Sequence, residues 1–214
     1  LDLGYSFVIT WKGSQRDDVK VVENIHEIVS GAARAKEAGF RYISYKPFLV
    51  RTEGGSEVMD PEGMDSRLQE VIARIRSSID EARQLEGDGF RVMESTNLRM
   101  LMQQSWQKWT KQPRMCHMQA LRQVVTPLGI YNCPAHRGVD KARIAEKDGY
   151  KDTDGVSKTS FATGCLLDKF DASVECAEVT CLYNEVNWWL EEMVEGQQNL
   201  DDIQVTPDRG DTFL

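Results

Sequence analysis

The chain has 214 residues, 41% of them hydrophobic and 28% charged, with a formal net charge of -8. That balance is the profile of a soluble globular protein of one large domain or two small ones. It argues against a nucleic-acid backbone as partner, because that binding needs a basic surface and Lys and Arg are scattered here.

No apolar run approaches the ~20 residues of a membrane span, so no membrane association is expected. The start, LDLGYSFVITW, has no basic segment ahead of its apolar part, so it does not read as a signal peptide. Secretion is therefore unsupported and a cytoplasmic location is expected. A first residue of Leu rather than Met reads as a processed or truncated chain.

In chain order, Tyr5 to Trp11 is β-branched and aromatic enough for a buried strand. Asn24 and Glu27 have the spacing of a cap and its capping-box partner. The helix they predict runs to about Ala38, with Ile25, Ile28, Val29, Ala32 and Ala35 on one face and Gly39 ending it. Phe40 to Leu49 predicts a second strand that finishes near Pro47, since Pro cannot donate to a ladder. After the loop TEGGSEVM, Asp60 and Pro61 read as the cap and first turn of a long helix. Met64, Leu68, Val71, Ile72, Ile75, Ile79 and Ala82 follow at helical spacing, and Phe90 to Met93 is a third short strand. A β-α-β-α-β series predicts a parallel sheet covered by helices.

A helix at about Leu98 to Trp109 is expected next, with Leu101, Met102, Trp106 and Trp109 as a packing face. The stretch from about Arg114 to Asp171 reads as irregular. A last helix is expected from about Cys181 to Glu195, with Leu182, Val186, Trp189, Leu190 and Met193 inward. The tail from Gly196 is polar and acidic, and is expected to be loosely ordered.

All five cysteines, Cys116, Cys133, Cys165, Cys176 and Cys181, fall in the second half of the chain. An odd count without an export signal fits reduced thiols or metal ligands better than a disulfide framework. Zinc sites usually show two CxxC-like knuckles, and neither cysteine pair here has that spacing. Buried structural cysteines are the other reading.

Cys116, then Gly129 and Cys133 in LGIYNCPAHRG, then Cys176 and Cys181 in ECAEVTCLYNEVNWWLE, form an ordered pattern. It resembles the auxiliary-cluster region, of SPASM or twitch type, at the C-terminal end of radical S-adenosylmethionine enzymes. In the same comparison FATGCLLDKF looks like the short strand before the second cysteine group. YSFVIT and YISYKPFL look like the fifth and sixth strands of that family's partial (β/α)6 barrel. The resemblance spans roughly residues 3 to 193.

The resemblance implies an α/β fold: the last strands and helices of a partial (β/α)6 barrel over 1–112, then a small irregular cysteine-rich α+β auxiliary domain over 113–195, then the tail 196–214. It implies an auxiliary [4Fe–4S] cluster on Cys116, Cys133, Cys176 and Cys181, with Cys165 either core or a substitute ligand. The family's CxxxCxxC triad is absent, since no cysteine precedes Cys116. The full SPASM pattern has more cysteines than these five, so at most one auxiliary cluster is implied.

Two accounts of the missing triad stand: an N-terminal half left off, or a degenerate homologue without radical chemistry. In the intact enzyme the resemblance implies S-adenosylmethionine as cofactor and its reductive cleavage to a 5′-deoxyadenosyl radical. It also implies a small-molecule or peptide substrate and a reductant protein such as flavodoxin or ferredoxin. This chain alone is expected to be inactive.

The strand edges that contact S-adenosylmethionine in the family correspond to Thr10, Trp11 and Lys12, and to Ser44 to Lys46. Lys46 meets either a cofactor carboxylate or substrate, or is a lysine snorkelling to solvent at a strand end; Glu94 on the third strand is open in the same way. His117 and His136 lie beside cysteines and read as supporting residues rather than ligands. No Ser/His/Asp spacing, phosphate loop or HExxH is present, so hydrolase chemistry has no support. The alternative function is a non-catalytic zinc-binding or structural interaction module.

Overall fold

A computed structural model describes residues 2–11, 15–16, 19–20, 22–59, 67–196 and 199–204. In chain order the elements are β1 (Gly4–Ile9), β2 (Gln15–Arg16), β3 (Val19–Lys20), α1 (Ile28–Glu37), β4 (Tyr42–Pro47), β5 (Val50–Arg51), β6 (Glu57–Val58), α2 (Leu68–Arg83), β7 (Arg91–Glu94) and α3 (Thr96–Met102). Then come α4 (Met118–Leu121), β8 (Val124–Thr126), β9 (Gly129–Tyr131), β10 (Arg143–Ala145), α5 (Thr153–Lys169), α6 (Ala172–Glu175) and α7 (Asn184–Val194). The chain forms two compact units, one of Leu1–Val50 with Met59–Trp106, the other of Arg51–Val58 with Gln107–Phe213. No helix among the described residues is long and apolar enough to cross a membrane.

The first unit is built on a three-stranded parallel sheet in the order β1-β4-β7. Gly4 to Ile9 pair with Tyr42 to Pro47, and Tyr42 to Tyr45 pair with Arg91 to Glu94. In the central strand, Tyr42, Ile43, Ser44 and Tyr45 are all buried, as expected of a parallel strand covered on both faces. Ile28, Ala32 and Ala35 of α1 and Val71, Ile72, Ile75, Ile79 and Ala82 of α2 supply the buried helix faces. The Tyr45 hydroxyl donates to the Ile28 carbonyl at 2.7 Å, which satisfies a buried polar tip.

Several element readings need correction. Asn24 does not cap a helix: its Oδ1 accepts from the Thr10 N–H at 2.8 Å and its Nδ2 donates to the Val8 carbonyl at 2.9 Å. It satisfies backbone groups at the end of β1 instead. The helix expected over 98–109 stops at Met102, and Gln104 adopts φ 54° before a 3-10 turn at Trp106–Trp109. The expected cap Asp60–Pro61, and Met64 and Lys12, lie outside the described residues.

The second unit departs most from the sequence reading. The supposedly irregular stretch contains a three-stranded antiparallel sheet, in the order β10-β9-β8. Gly129 opens β9 with φ 142°, and a Cβ there would lie 2.9 Å from the Ala145 carbonyl oxygen. Gly129→Ala is expected to cost about 1–3 kcal/mol of backbone strain. The check is faster hydrogen exchange across β8–β10, with β1, β4 and β7 unchanged.

FATGCLLDKF is not a strand; it is the second half of α5, a helix capped by Asp152, whose side chain accepts from the Gly155 N–H. The inward face of α7 is polar rather than apolar. Val186 and Trp189 are exposed at 44% and 36%, while Asn184 and Asn187 are buried.

Candidate metal centre

Those two asparagines fasten α7 to the segment around Cys116. Asn187 Oδ1 accepts from the His117 N–H at 2.8 Å, and Asn187 Nδ2 donates to the Met115 carbonyl at 3.3 Å. Asn184 Nδ2 and Trp188 Nε1 both donate to the Lys111 carbonyl, at 2.6 and 2.9 Å. The Cys181 N–H donates to the Trp109 carbonyl at 3.1 Å, and the Ala172 N–H to the Arg114 carbonyl at 2.8 Å. Backbone hydrogen bonds thus tie the two late cysteine segments to the early one.

Each of three cysteines opens a helical turn. Cys116 lies two residues before α4, and its sulfur accepts from the Met118 and Gln119 amides and the Gln119 side chain. Cys133 follows β9 and precedes a 3-10 turn at Pro134–His136, taking the Ala135 and His136 amides. Cys181 takes the Tyr183 amide shortly before α7. Cys176 ends α6, is buried, and lies 3.4 Å from His136 Nε2. Free amides at helical N-termini favour anionic sulfur.

Burial outweighs those donors. It raises all four thiol pKa values, taking Cys116 to about 11 and Cys181 to about 12. The thiols also oppose one another's ionisation. Cys176 is raised further by Cys133, Cys116 and Cys181; Cys181 by Cys133 and Cys116; and Cys116 by Cys133. Four sulfurs from three separated segments therefore share one electrostatic neighbourhood. They stay protonated near neutrality unless a multivalent cation takes the place of the protons.

Cys165 sits on α5 and is not among the charges that act on the other four. All five cysteines are free. Among the described residues, no three His, Cys, Asp or Glu side chains are grouped so as to hold a metal ion as they stand.

The surroundings bear on whether a guest fits. Among the described residues, buried side-chain atoms that make no well-aligned hydrogen bond are Gln119 Oε1, both amide atoms of Asn132, His136 Nδ1, Thr180 Oγ1 and Asn97 Oδ1, together with Arg122 Nη1 and Tyr183 Oη, whose side chains interact with each other. All but Asn97 lie within six residues of Cys116, Cys133 or Cys181 along the chain. An unmet buried group costs about 1–3 kcal/mol, so native proteins seldom leave many together without water or a ligand. Cys176 is buried, Cys116, Cys133 and Cys181 are half-buried, and the unmet polar atoms are their neighbours along the chain.

The other predicted residues are placed as follows. His117 pairs through Nε2 with the Glu191 carboxylate. His136 is fully buried, edge-on to Phe170 with ring centroids 5.2 Å apart. Thr10 Oγ1 donates to the Val22 carbonyl, and Trp11 and Ser44 are buried. Lys46 is half-buried on β4, where burial lowers its pKa, and Glu94 pairs with Arg83.

Arg122 and Glu57 escaped the sequence reading. Arg122 lies over the Tyr183 ring, 4.6 Å from its centroid, and its charge favours the thiolates of Cys133 and Cys181. Glu57 is bound by both Nη2 contacts of Arg137, at 2.9 and 2.7 Å. Arg122 is six positions after Cys116 and Tyr183 two positions after Cys181, and that proximity to cysteine is the signal the sequence offers. Comparisons with family models, curated proteins and solved structures returned no match.

Proposed function

We propose that the second unit holds an auxiliary [4Fe–4S] cluster through Cys116, Cys133, Cys176 and Cys181, in the C-terminal portion of a cytoplasmic radical S-adenosylmethionine enzyme. The observation that supports this reading is that Cys133, Cys116 and Cys181 act on Cys176 from separated segments of the chain, with unmet buried polar atoms close to them in sequence. A single tetrahedral zinc ion, with Zn–S near 2.3 Å, needs sulfurs only about 3.8 Å apart. The choice of a cube over a single zinc ion rests on the resemblance of the cysteine pattern to the auxiliary-cluster region.

Such a cluster supplies one-electron transfer or an iron site for substrate, at a potential set by sulfur hydrogen bonds and exposure. The chain's own part is to present four sulfurs, donate the Met118, Gln119, Ala135, His136 and Tyr183 amides to them, and keep water away. In the intact enzyme, the parallel sheet is assigned to the end of a partial barrel. Lys46, at the C-terminal end of β4, is assigned to the carboxylate of S-adenosylmethionine. The substrate is a small molecule or peptide, and the reductant a flavodoxin- or ferredoxin-type protein.

The test is iron, acid-labile sulfide and zinc per chain after anaerobic reconstitution. About four iron and four sulfide are expected, lost in Cys133→Ala and kept in Cys165→Ala. Stoichiometric zinc, or a folded chain that takes up no metal, overturns the cluster and leaves a non-catalytic structural module.

A further inference from the structure

The apolar stripe of α7 is turned outward. Val186, Trp189, Leu190 and Met193 are spaced i, i+3, i+4 and i+7, which puts them along one side of the helix. Val186 and Trp189 are exposed, and Leu190 and Met193 are half-buried. Val194, one turn beyond Leu190, extends the stripe and is 73% exposed.

The helix is held by its other side. Asn184 and Asn187 are buried, donate to the Lys111 and Met115 carbonyls, and Asn187 accepts from the His117 N–H. Rolling α7 to bury the stripe would break these hydrogen bonds and leave buried amides unmet, which is costly. Single exposed apolar side chains are ordinary, but a continuous stripe with a tryptophan in it is a contact surface.

Charge decides what covers it. From Asn184 to Glu195 the chain has four glutamates, Glu185, Glu191, Glu192 and Glu195, and no Lys or Arg. Glu185 is exposed, and Glu192, seven positions on, follows it along the edge of the stripe beside Trp189. The helix dipole favours cations at a C-terminus, yet the last turn of α7 has no basic residue. The face is thus apolar along its middle and negative along one edge. A second copy would set glutamates against glutamates in a chain of net charge -8, and like charges facing across an interface are unfavourable.

We propose that the outward face of α7 docks a basic amphipathic helix of another protein. Its apolar residues pack on Val186, Trp189 and Met193, and its Lys or Arg residues lie along the Glu185–Glu192 edge. This interface does not rest on the cluster reading above.

The experiment is fluorescence anisotropy of a labelled peptide of about 18 residues, about five helical turns, titrated with the full chain. The peptide contains only Leu and Lys, patterned to give one apolar helical face. A scrambled Leu/Lys peptide and a Leu/Glu peptide of the same pattern are the controls. Circular dichroism checks that each protein variant is folded. Trp189→Ala is expected to weaken binding of the patterned Leu/Lys peptide about 30-fold, as truncation of an aromatic anchor does. Glu185→Lys is expected to weaken it about fivefold. Phe161→Ala, which removes an exposed ring on α5, is expected to leave it unchanged.

A patterned Leu/Lys peptide that binds no tighter than either control overturns the inference, as does equal binding to wild type and Trp189→Ala. Where Trp189→Ala does not fold, Val186→Ser decides: a loss of about tenfold supports the interface and unchanged binding overturns it. A chain that sediments as a dimer, and as a monomer in Trp189→Ala, assigns the face to a second copy instead. Binding to phosphatidylcholine vesicles that is lost in Trp189→Ala, without binding to the peptide, assigns it to a lipid surface. Either result overturns the proposal.

Discussion

Glu57→Gln is expected to cost the second unit about 3 kcal/mol. The Glu57 carboxylate is 5% exposed, takes two contacts from Arg137 Nη2 at 2.9 and 2.7 Å, and lies 3.5 Å from Arg51 Nη2. Its neighbours Ser56 and Val58 are buried as well. Removing the charge leaves two guanidinium groups without their shared anion. Arg137 is half exposed and can turn toward water, which keeps the cost at the lower end of the usual 3–5 kcal/mol for a broken buried pair.

The effect should reach the cysteine site, because Arg137 ends the 3-10 turn that Cys133 begins. If the turn opens locally, about 3 kcal/mol corresponds to about a 100-fold rise in the open population. Alkylation of Cys133 in the metal-free protein should accelerate by a similar factor, read peptide by peptide by mass spectrometry. A double-mutant cycle with Arg137→Met isolates the pair, with an expected coupling of about 1–3 kcal/mol. A coupling below about 0.5 kcal/mol would show that the two side chains are neighbours without energetic consequence.

The unequal legibility of the two halves has a physical cause. In the first unit, burial on both faces of β4 and the i, i+3/i+4 apolar pattern of α1 and α2 write themselves into local sequence. Ile43 and Tyr45, or Ile75 and Ile79, are chosen by their immediate element. In the second unit, structure is set by polar groups that meet across long separations. α5 hides because its buried residues include Thr159 and Thr163, β-branched and polar, and because Gly155 and Gly164 lower its helical propensity.

Thr159 donates to the Gly149 carbonyl at 2.9 Å, and Gln123 donates to Thr163 at 2.9 Å. Neither partner can be inferred from spacing. The hairpin β8–β9 has a local signal: the turn Thr126-Pro127-Leu128-Gly129 joins the β-branched Val124–Thr126 to Ile130 and Tyr131. The raising of the Cys176 pKa by Cys133, Cys116 and Cys181 depends on tertiary structure. Asn184 and Asn187, which fasten α7 to residues 111–117, carry no signal as isolated asparagines.

His136 is expected to make the metal-free protein lose about 3 kcal/mol of stability as pH falls from 6.5 to 4. The ring is fully buried, and burial lowers its pKa to about 4; Lys141 adds to that effect and Glu175 opposes it. Because the folded value lies below the unfolded ~6.5, this contribution is fully present above pH 6.5 and is lost on acidification through that window. The difference of about 2.5 units, at 1.36 kcal/mol each, gives the magnitude.

Acidic side chains begin to titrate in the lower part of the same range, so the diagnostic is the difference between wild type and His136→Phe. The variant keeps a ring against Phe170 and removes the titration, together with the Nε2 contact to Cys176. Its stability curve should be flatter between pH 6.5 and 5, where carboxylates contribute least. A directly observed His136 titration near 6.5 in the folded protein, or parallel wild-type and variant curves, would refute the linkage. A neutral ring also has a consequence for the cysteine: once Cys176 is a thiolate, only a proton on Nε2 can make their 3.4 Å contact favourable, which fixes the tautomer.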